Sequence, residues 1–401
     1  MKLHHNTFLF ALLLGMHSAL PPFSIDSSLP ALPAIGVALS AVPTKVQWTL
    51  SAFLIGLASG QMFWGPLSDA KGRRPVLIAG MCLYVFGGIG CALAPNIDVL
   101  IGMRLLQGLG ACEGVVISRA IVRDVFTGQT AIAKQSLLQA TSTSAMLMAP
   151  IVGGFLVEHY GWRVSYAMLP TAGMMLVLAA SLFLRETAPL KSAQGFGFFQ
   201  AVGAVVREPM SIGFALFNAT IFGGLFAFVS GSSAVLIGTY GFAPGLFGIV
   251  FAASAVSLLF GSGTSALTIR RYGSLRLRRL AMIVVVIADI GLIATAVLNL
   301  GPWALLISIA LLTYAVGIIL PNAISSAMAY VPQVAGTASG VVGLIQFVTG
   351  AISAWMIGLY HPGQISGMVT IIIPFTLVSL CFGVGLDVLE RRRGGSGPQP
   401  R

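Results

Sequence analysis

The sequence predicts an all-helical polytopic membrane protein, in which twelve transmembrane helices form two pseudo-symmetric six-helix bundles. Three observations predict this fold. Of the 401 residues, 57% are hydrophobic and only 8% are charged, whereas an ordinary soluble domain carries roughly 25% charged residues. Twelve apolar runs have the length of about 20 residues that crosses about 30 Å of hydrocarbon. The longest polar segment divides these runs into six and six.

Charged residues, prolines or glycine clusters bound each apolar run. Backbone groups find no water in lipid, so each run is predicted to be a helix, and the alternation typical of a membrane β-barrel is not visible. The first 20 residues resemble a signal peptide, but a cleaved signal before eleven spans would leave an odd topology, so we expect them to belong to span one. The predicted spans are 7–26, 46–66, 75–95, 98–119, 133–156, 163–184, 211–236, 245–268, 279–299, 303–326, 337–359 and 365–388.

Basic residues collect in alternate loops, and the outer segments hold only Lys45 and Arg163 if the N-terminus is inside. This is the positive-inside pattern, and it predicts cytoplasmic termini in a bacterial inner membrane. The same placement accounts for the net charge of +11 without a nucleic-acid partner. The four cysteines lie inside apolar runs without metal-ligand spacing, so we expect neither a metal site nor a cofactor.

The polar segment between spans six and seven sets the predicted domain organisation. We expect a bundle over 1–185, a cytoplasmic linker over 186–210, a second bundle over 211–390 and a basic tail over 391–401. A weak repeat after spans two and eight supports this division. Two six-helix halves with a site near the midplane are typical of secondary transporters.

Ionisable residues inside the spans are candidates for function, because each costs at least about 2.5–3.5 kcal/mol to insert. By the helical rise, Asp26 in span one and Arg104 in span four are predicted at a shared depth in the outer half of the membrane. An Arg beside an Asp favours the ionised carboxylate, whereas burial disfavours it, as a reversible proton site requires. A permanent ion pair that fixes span one against span four is an equally good interpretation.

Two further acids lie within the spans. Glu113 is half a helical turn from Arg104 and has no obvious partner, which favours a protonated acid that carries protons or senses cations. A neutral acid bonded to a neighbouring helix is the alternative. Asp289 has no motif around it, and His17 is predicted to be a packed neutral imidazole rather than a relay.

The loop after span two is Gly65-Pro66-Leu67-Ser68-Asp69-Ala70-Lys71-Gly72-Arg73-Arg74. It resembles the G-x-L-a-D-r-x-G-r-[KR] loop of the major facilitator superfamily, with Ala70 in place of the usual Arg. The resemblance covers nearly the whole chain and is closest to the twelve-span drug:proton antiporters of the Bcr/CflA branch. It implies a cytoplasmic gate in which Asp69 pairs with Arg73 and with an acid that ends span four, Asp124, while Gly65 and Gly72 belong to the same loop motif.

Three other motifs carry the same resemblance. Ser24–Pro33 in span one is similar to the branch's S-I-D-x-x-L-P-A-L-P, and Arg104–Gly110 is similar to R-x-x-q-G-x-g. These motifs imply that Asp26 and Arg104 take part in proton coupling, whereas Glu113 matches no motif. Ala149–Gly154 is similar to the antiporter motif G-P-x-x-G-G, which implies a hinge at Pro150, Gly153 and Gly154. Ala335–Gly340 resembles the branch's A-G-T-A-S run in span eleven.

A multidrug cavity needs apolar, aromatic and deformable side chains with few fixed polar groups. Candidates lie on spans that border the cavity in this superfamily and on spans ten and eleven. They are Met16, Phe23, Phe222, Phe226, Asn322 and Gln346.

These observations together predict a proton-coupled exporter of small amphipathic drugs, such as bicyclomycin- or chloramphenicol-like compounds, that works by alternating access as a monomer in the lipid bilayer. A nucleotide-binding G-x-x-x-x-G-K-[ST] loop is missing from the sequence, as are the H-E-x-x-H and G-x-S-x-G motifs of enzymes. Three alternatives remain open, namely an exporter of a natural metabolite such as an amino acid or small peptide, a passive channel and a membrane-embedded enzyme.

Overall fold

The computed structural model describes residues 7–187, 198–360 and 363–392, and these residues form helices without a β-strand. Twelve helical segments are long and apolar enough to cross a membrane, which confirms the predicted number of spans. In chain order, spans one to twelve are Phe8–Ala38, Pro43–Lys71, Arg73–Ala92, Ile97–Val125, Gly128–Tyr160, Trp162–Phe183, Pro209–Thr239, Pro244–Ile269, Arg271–Leu298, Pro302–Ala329, Pro332–Leu359 and Ile365–Arg392.

Local sequence signals set the ends of these helices. Gly72 separates spans two and three with a φ of 97°, and Gly273 kinks the chain near the start of span nine with a φ of 77°. Side chains other than glycine rarely adopt this left-handed region. The Asn96 side chain caps span four by accepting a hydrogen bond from the Val99 N–H at 2.9 Å, which satisfies one of the free donors of the first turn.

Span one is longer than predicted and is not a single regular helix. An α-helix over Phe8–Asp26 is followed by a 3₁₀ turn over Leu29–Ala31 and a second α-helix over Leu32–Ala38. Prolines within the apolar segment hid this continuation, because Pro at the first positions of a helix permits a new helical start as well as a stop. Asp26 therefore lies near the middle of span one, whereas the sequence predicted it in the outer half of the membrane.

The helices form two compact units. The first lies within Met1–Gly195 and Phe242–Ala252, and the second lies within Phe196–Gly241 and Ala253–Arg401. The start of span eight thus packs with the first unit, which its position in the sequence did not predict. The domain boundaries drawn at 185, 210 and 390 stay a prediction, and Lys191 and the tail beyond 392 lie outside the described residues.

The polar linker contains a helix, Phe198–Arg207, that the sequence did not predict. Its buried residues Ala201 and Val205 form a small apolar core with Val331, Val334 and Ala338, near the ends of spans ten and eleven. Apolar residues four apart lie on one face of a helix. This face ties the linker to the second unit.

Spans two and four approach each other closely in the first unit. Gly108 of span four lies against the Phe53 carbonyl, and Gly56 of span two lies against the Leu105 carbonyl, so a side chain at either glycine would overlap backbone atoms. Small residues allow such contacts between membrane helices. The Trp64 indole N–H adds a hydrogen bond of 2.7 Å to the Leu109 carbonyl. This contact fixes the position of span four and of its ionisable residues.

Candidate functional site

Arg104 is fully buried in span four and is surrounded by neutral groups. Its guanidinium donates to Gln107 Oε1 at 3.0 Å and to Ser28 Oγ at 3.1 Å. Its central carbon lies 4.4 Å from the centre of the Phe53 ring and 5.4 Å from that of Tyr166. Ring faces and hydroxyl oxygens stabilise a buried cation without neutralising it. A full positive charge is therefore held next to span one.

Asp26 lies in the same stretch of span one but does not contact this cation. Its side chain is 4% exposed and makes no hydrogen bond or ion pair with the residues that the structure describes. The expectation that Asp26 and Arg104 pair is therefore wrong. Arg104 instead contacts Ser24 and Ser28, which lie four residues apart on one helix face, whereas Asp26 lies about 200° around the axis from Ser24.

Glu113 has a partner, contrary to the expectation from the sequence. Its Oε1 lies 3.1 Å from His17 Nδ1 of span one, and both side chains are fully buried. The other side-chain atoms of the pair, His17 Nε2 and Glu113 Oε2, make no hydrogen bond with described residues. His17 is thus a packed imidazole, as predicted, but it is bonded to an acid that the prediction left alone.

The loop after span two forms an ion cluster around Arg73. This guanidinium contacts Asp69 Oδ1 at 2.5 Å, Asp124 Oδ2 at 2.7 Å and Ser68 Oγ at 2.7 Å. The structure thus brings together the three charged residues that the motif resemblance implies. Gly65 lies one turn before, in span two, and its carbonyl accepts the Ser68 hydroxyl at 2.8 Å. The function of the cluster as a gate stays a prediction.

The sequence did not predict the part that Glu186 plays in this loop. Its carboxylate accepts hydrogen bonds from the backbone N–H groups of Arg73 at 2.8 Å and Arg74 at 3.2 Å, at the start of span three. A carboxylate at a helix N-terminus satisfies free donors and interacts favourably with the helix dipole. The end of span six is thereby joined to the motif loop at Gly72.

The residues predicted as a hinge lie in span five, where its backbone meets two neighbours. Gly153 lies against the Ser27 carbonyl of span one, and Gly154 lies against the Pro244 carbonyl at the start of span eight. Pro150 lies inside the helix, where it removes a backbone hydrogen bond. The glycines explain the close approach, while pivoting at this point stays a prediction.

The candidate cavity residues fall into separate places. In the second unit, the Phe222 and Phe226 rings are buried 5.0 Å apart, and Gln346 accepts a hydrogen bond of 2.8 Å from Asn218. Asn322 lies elsewhere in that unit and donates to Ser265 Oγ at 2.8 Å. Met16 and Phe23 lie on span one of the first unit, where Met16 is exposed and Phe23 is partly buried. Their part in substrate binding stays a prediction.

A second ion cluster, in the second unit, was missed. Arg278 at the start of span nine contacts Asp387 at 2.9 Å and Glu390 at 2.6 Å, both at the end of span twelve, and Arg279 also contacts Asp387. The sequence held a signal for this cluster, because it places basic residues and acids at span ends on the same side of the membrane, where they can pair. Asp289 is buried in span nine, and neither of its carboxylate oxygens has a hydrogen-bond partner among described residues.

Within the described ranges, the structure holds no group of three or more His, Cys, Asp or Glu side chains that could bind a metal ion.

Comparison with known proteins identifies the family. The family model of the Major Facilitator Superfamily matches residues 8–354. The MFS-type transporter YdgK of Bacillus subtilis is 36% identical over 93% of this chain and 94% of its own length. The bicyclomycin resistance protein homolog of Haemophilus influenzae is 31% identical over 88% of this chain and 89% of its own length.

Solved structures agree on the fold. A bacterial homolog of the human lysosomal transporter Spinster, in an inward-facing and unoccupied conformation, superposes with a TM-score of 0.76 at 16% identity and covers 94% of this chain and 96% of its own. Its twelve apolar helices and its match to the family model show that the chain is a multi-pass membrane protein of a family of transporters. It belongs to the Major Facilitator Superfamily and, within that superfamily, is a Bcr/CflA-like member.

Proposed function

We propose that this protein is a proton-coupled secondary exporter of small amphipathic drugs, such as bicyclomycin- or chloramphenicol-like compounds, and that Asp26 binds the coupled proton. The proposal places it as a monomer in the bacterial inner membrane with both termini in the cytoplasm. The observation that carries it is the buried Asp26 carboxyl, which has no hydrogen-bond or ion-pair partner among described residues. A relative named for bicyclomycin resistance supports the substrate class.

The environment of Asp26 suits a site that gains and loses a proton. A buried carboxyl without a partner favours the protonated form, and water or a substrate that reaches it favours the ionised form. Asp26 ends the regular helix of span one, and the break at Ser27–Ser28 lies between two α-helices. A short rearrangement of this break would change what the carboxyl faces. Arg104 contacts the other side of the helix at Ser24 and Ser28, so it does not hold the carboxylate in an ion pair.

The energy of one proton is sufficient for useful export. A proton that crosses a potential of about 100 mV contributes about 2.3 kcal/mol. A gradient of one pH unit adds about 1.4 kcal/mol, and the two together support a substrate gradient of roughly 500-fold. No nucleotide is needed.

The ion clusters and the close-packed glycines support alternating access. Ion pairs at span ends, such as Arg73 with Asp124, can hold one arrangement of the helices and release it when a neighbour changes charge. Gly153 beside Ser27 lets span five move against the span that carries Asp26 without a clash of side chains. The buried Phe222 and Phe226 pair offers an apolar surface for a drug.

The test is drug-driven proton movement in everted membrane vesicles that contain the wild type or Asp26→Asn. With an acidic lumen, chloramphenicol or bicyclomycin should raise the lumenal pH in the wild type and leave it unchanged in the variant, as measured with a pH-sensitive dye. Asp98→Asn is the matched control, because this exposed Asp lies at the start of span four, where it pairs with the exposed Lys45 at the start of span two. Equal proton movement with Asp26→Asn would remove Asp26 from the mechanism. Proton movement that an amino acid or peptide drives, but that neither drug drives, would favour an exporter of a natural metabolite.

A further inference from the structure

We propose that His17 and Glu113 form a second proton-binding site that the transport cycle uses, separate from Asp26. The inference rests on the proposed function and deepens it. It starts from the contact between His17 Nδ1 and Glu113 Oε1, 3.1 Å apart, which joins span one to span four. Both side chains are fully buried.

An imidazole and a carboxyl in contact share one proton in two arrangements of equal total charge. The proton lies on Glu113 beside a neutral imidazole, or on His17 beside a carboxylate. A further proton converts the pair to an imidazolium beside a neutral acid, and loss of the shared proton leaves a carboxylate beside a neutral imidazole. Burial makes each added charge costly, so the number of protons on the pair responds strongly to water or charge that reaches it.

The geometry leaves the pair an outlet for this proton. His17 Nε2 and Glu113 Oε2 have no hydrogen-bond partner among described residues, although both are buried. A pair with only a structural role would gain stability if these atoms were also bonded, since an unsatisfied buried polar atom costs about 1–3 kcal/mol. Each group therefore keeps one atom that can exchange a proton with water when the surrounding helices move.

The surroundings hold the two groups together and permit local bending of span one. Gly80 of span three leaves no room for a side chain next to Glu113, and Gly114 packs directly on the His17 carbonyl. Pro21 has no N–H, so the His17 carbonyl lacks the usual donor four residues later in the helix. Span one is thus weakened between His17 and Asp26, which lie nine residues, or about 13 Å, apart along the axis.

The charged and titratable groups around the pair are few. Cys112 neighbours Glu113 in span four and is buried. Arg119 lies six residues further along the same helix, near its end. Span one faces Glu113 with His17, and span three faces it with Gly80, next to which the Trp64 ring of span two also lies. His17 is therefore the ionisable side chain in direct contact with Glu113.

The first experiment compares two transport modes of reconstituted protein with Glu113→Gln, which keeps a hydrogen-bonding oxygen but cannot ionise. We expect exchange of labelled for unlabelled chloramphenicol or bicyclomycin to stay within about twofold of the wild type, because exchange needs no net proton transfer. Accumulation driven by one pH unit should fall about tenfold, the factor that one coupled proton supplies. Asp98→Asn should change neither mode. A purely structural pair predicts unchanged accumulation in Glu113→Gln, and such a result would overturn the proposal.

The second experiment needs no substrate and so separates this inference from the proposed function. Nitrogen-15 NMR of labelled histidines in liposomes reports the protonation of His17, with the exposed His159 as an internal control. We expect the His17 signals to change over a pH titration of the wild type, and the change to differ in Glu113→Gln while the His159 signals are the same in both proteins. A single unchanging His17 tautomer in both proteins would refute the proton site, even if drug transport is intact. If neither drug is carried, the proposed substrates fail and this measurement alone decides the pair.

Discussion

Removal of the Arg73 guanidinium should loosen the loop between spans two and three by a predictable amount. Arg73→Gln removes the ion pairs with Asp69 and Asp124 and shortens the side chain that reaches Ser68. Lys71→Gln is the matched control, because Lys71 is exposed, lies two residues away and carries the same charge. Both variants reduce the net charge equally, so a difference between them reports the contacts of Arg73.

The two ion pairs differ in their expected contribution. The Asp69 side chain is 51% exposed, and an exposed pair contributes about 1 kcal/mol at most. The Asp124 side chain is only 11% exposed, where a charge-assisted hydrogen bond contributes about 1.5–3 kcal/mol. A total loss of about 2–3 kcal/mol corresponds to an opening equilibrium that rises about 30- to 150-fold.

Hydrogen exchange measures this opening directly. Amides over residues 68–76 should exchange about 30- to 150-fold faster in Arg73→Gln, since local exchange follows the free energy of local opening. Peptides from span eleven serve as an internal reference within the same sample. Unchanged exchange at 68–76, or equal acceleration in Lys71→Gln, would show that the cluster does not hold this loop.

Two further predictions concern packing and capping. Gly108→Val should destabilise the protein by about 3 kcal/mol or more, because a side chain there overlaps the Phe53 carbonyl. Gly102→Val is the control, because Gly102 lies six residues earlier and faces open space, and it should change the melting temperature little. Glu186→Ala should cost about 0.5–2 kcal/mol through loss of the cap on span three, while Glu186→Gln should keep part of that stability. Thermal unfolding of the purified variants checks both, and equal melting temperatures within either pair would contradict the packing or the cap.

Hydropathy predicted the number of spans because lipid leaves a chain few choices. Every backbone donor and acceptor in the hydrocarbon must be bonded within the segment, so an apolar run of sufficient length becomes a helix. The same signal says little about where a helix continues beyond a proline. Span one continues to Ala38 after Pro30 and Pro33, and the linker helix at Phe198–Arg207 is too short and too amphipathic for a hydropathy signal.

Side-chain partners were predicted correctly only where a motif already pairs them. The loop motif led to Arg73 with Asp69 and Asp124, and these three are in contact. Without such a motif, matching depth proved insufficient, since Asp26 and Arg104 lie close along the membrane normal but on different sides of span one. The rotation of each residue about its helix axis decides a contact, and two residues of separation already amount to about 200°.

One calculation from the sequence would have found the partner of Glu113. Span one and span four run in opposite directions through the membrane. If Arg104 lies opposite the Ser24–Ser28 segment, then Glu113, nine residues later, must lie about 13 Å away toward the start of span one. Nine residues before Asp26 stands His17. The equal spacing on two antiparallel helices places His17 and Glu113 at one level, as the structure shows.

The two faces of span one therefore have different tasks. His17, Ser24 and Ser28 are separated by seven and four residues and lie within about 20° of one face, which packs on span four through Glu113 and Arg104. Asp26 is half a turn from His17 and is free of both contacts. If Arg104 neutralised Asp26 directly, the carboxylate would be held ionised and could not return a proton at modest cost. Placing the acid on the opposite face keeps the Arg104 cation out of contact with it, so the cation does not hold the carboxylate ionised. Ser28→Asp puts a carboxylate on the Arg104 face, where we expect it to form a permanent ion pair with that cation. It should therefore not restore proton coupling to Asp26→Asn. Restored coupling in the double variant would contradict the separation of the two faces.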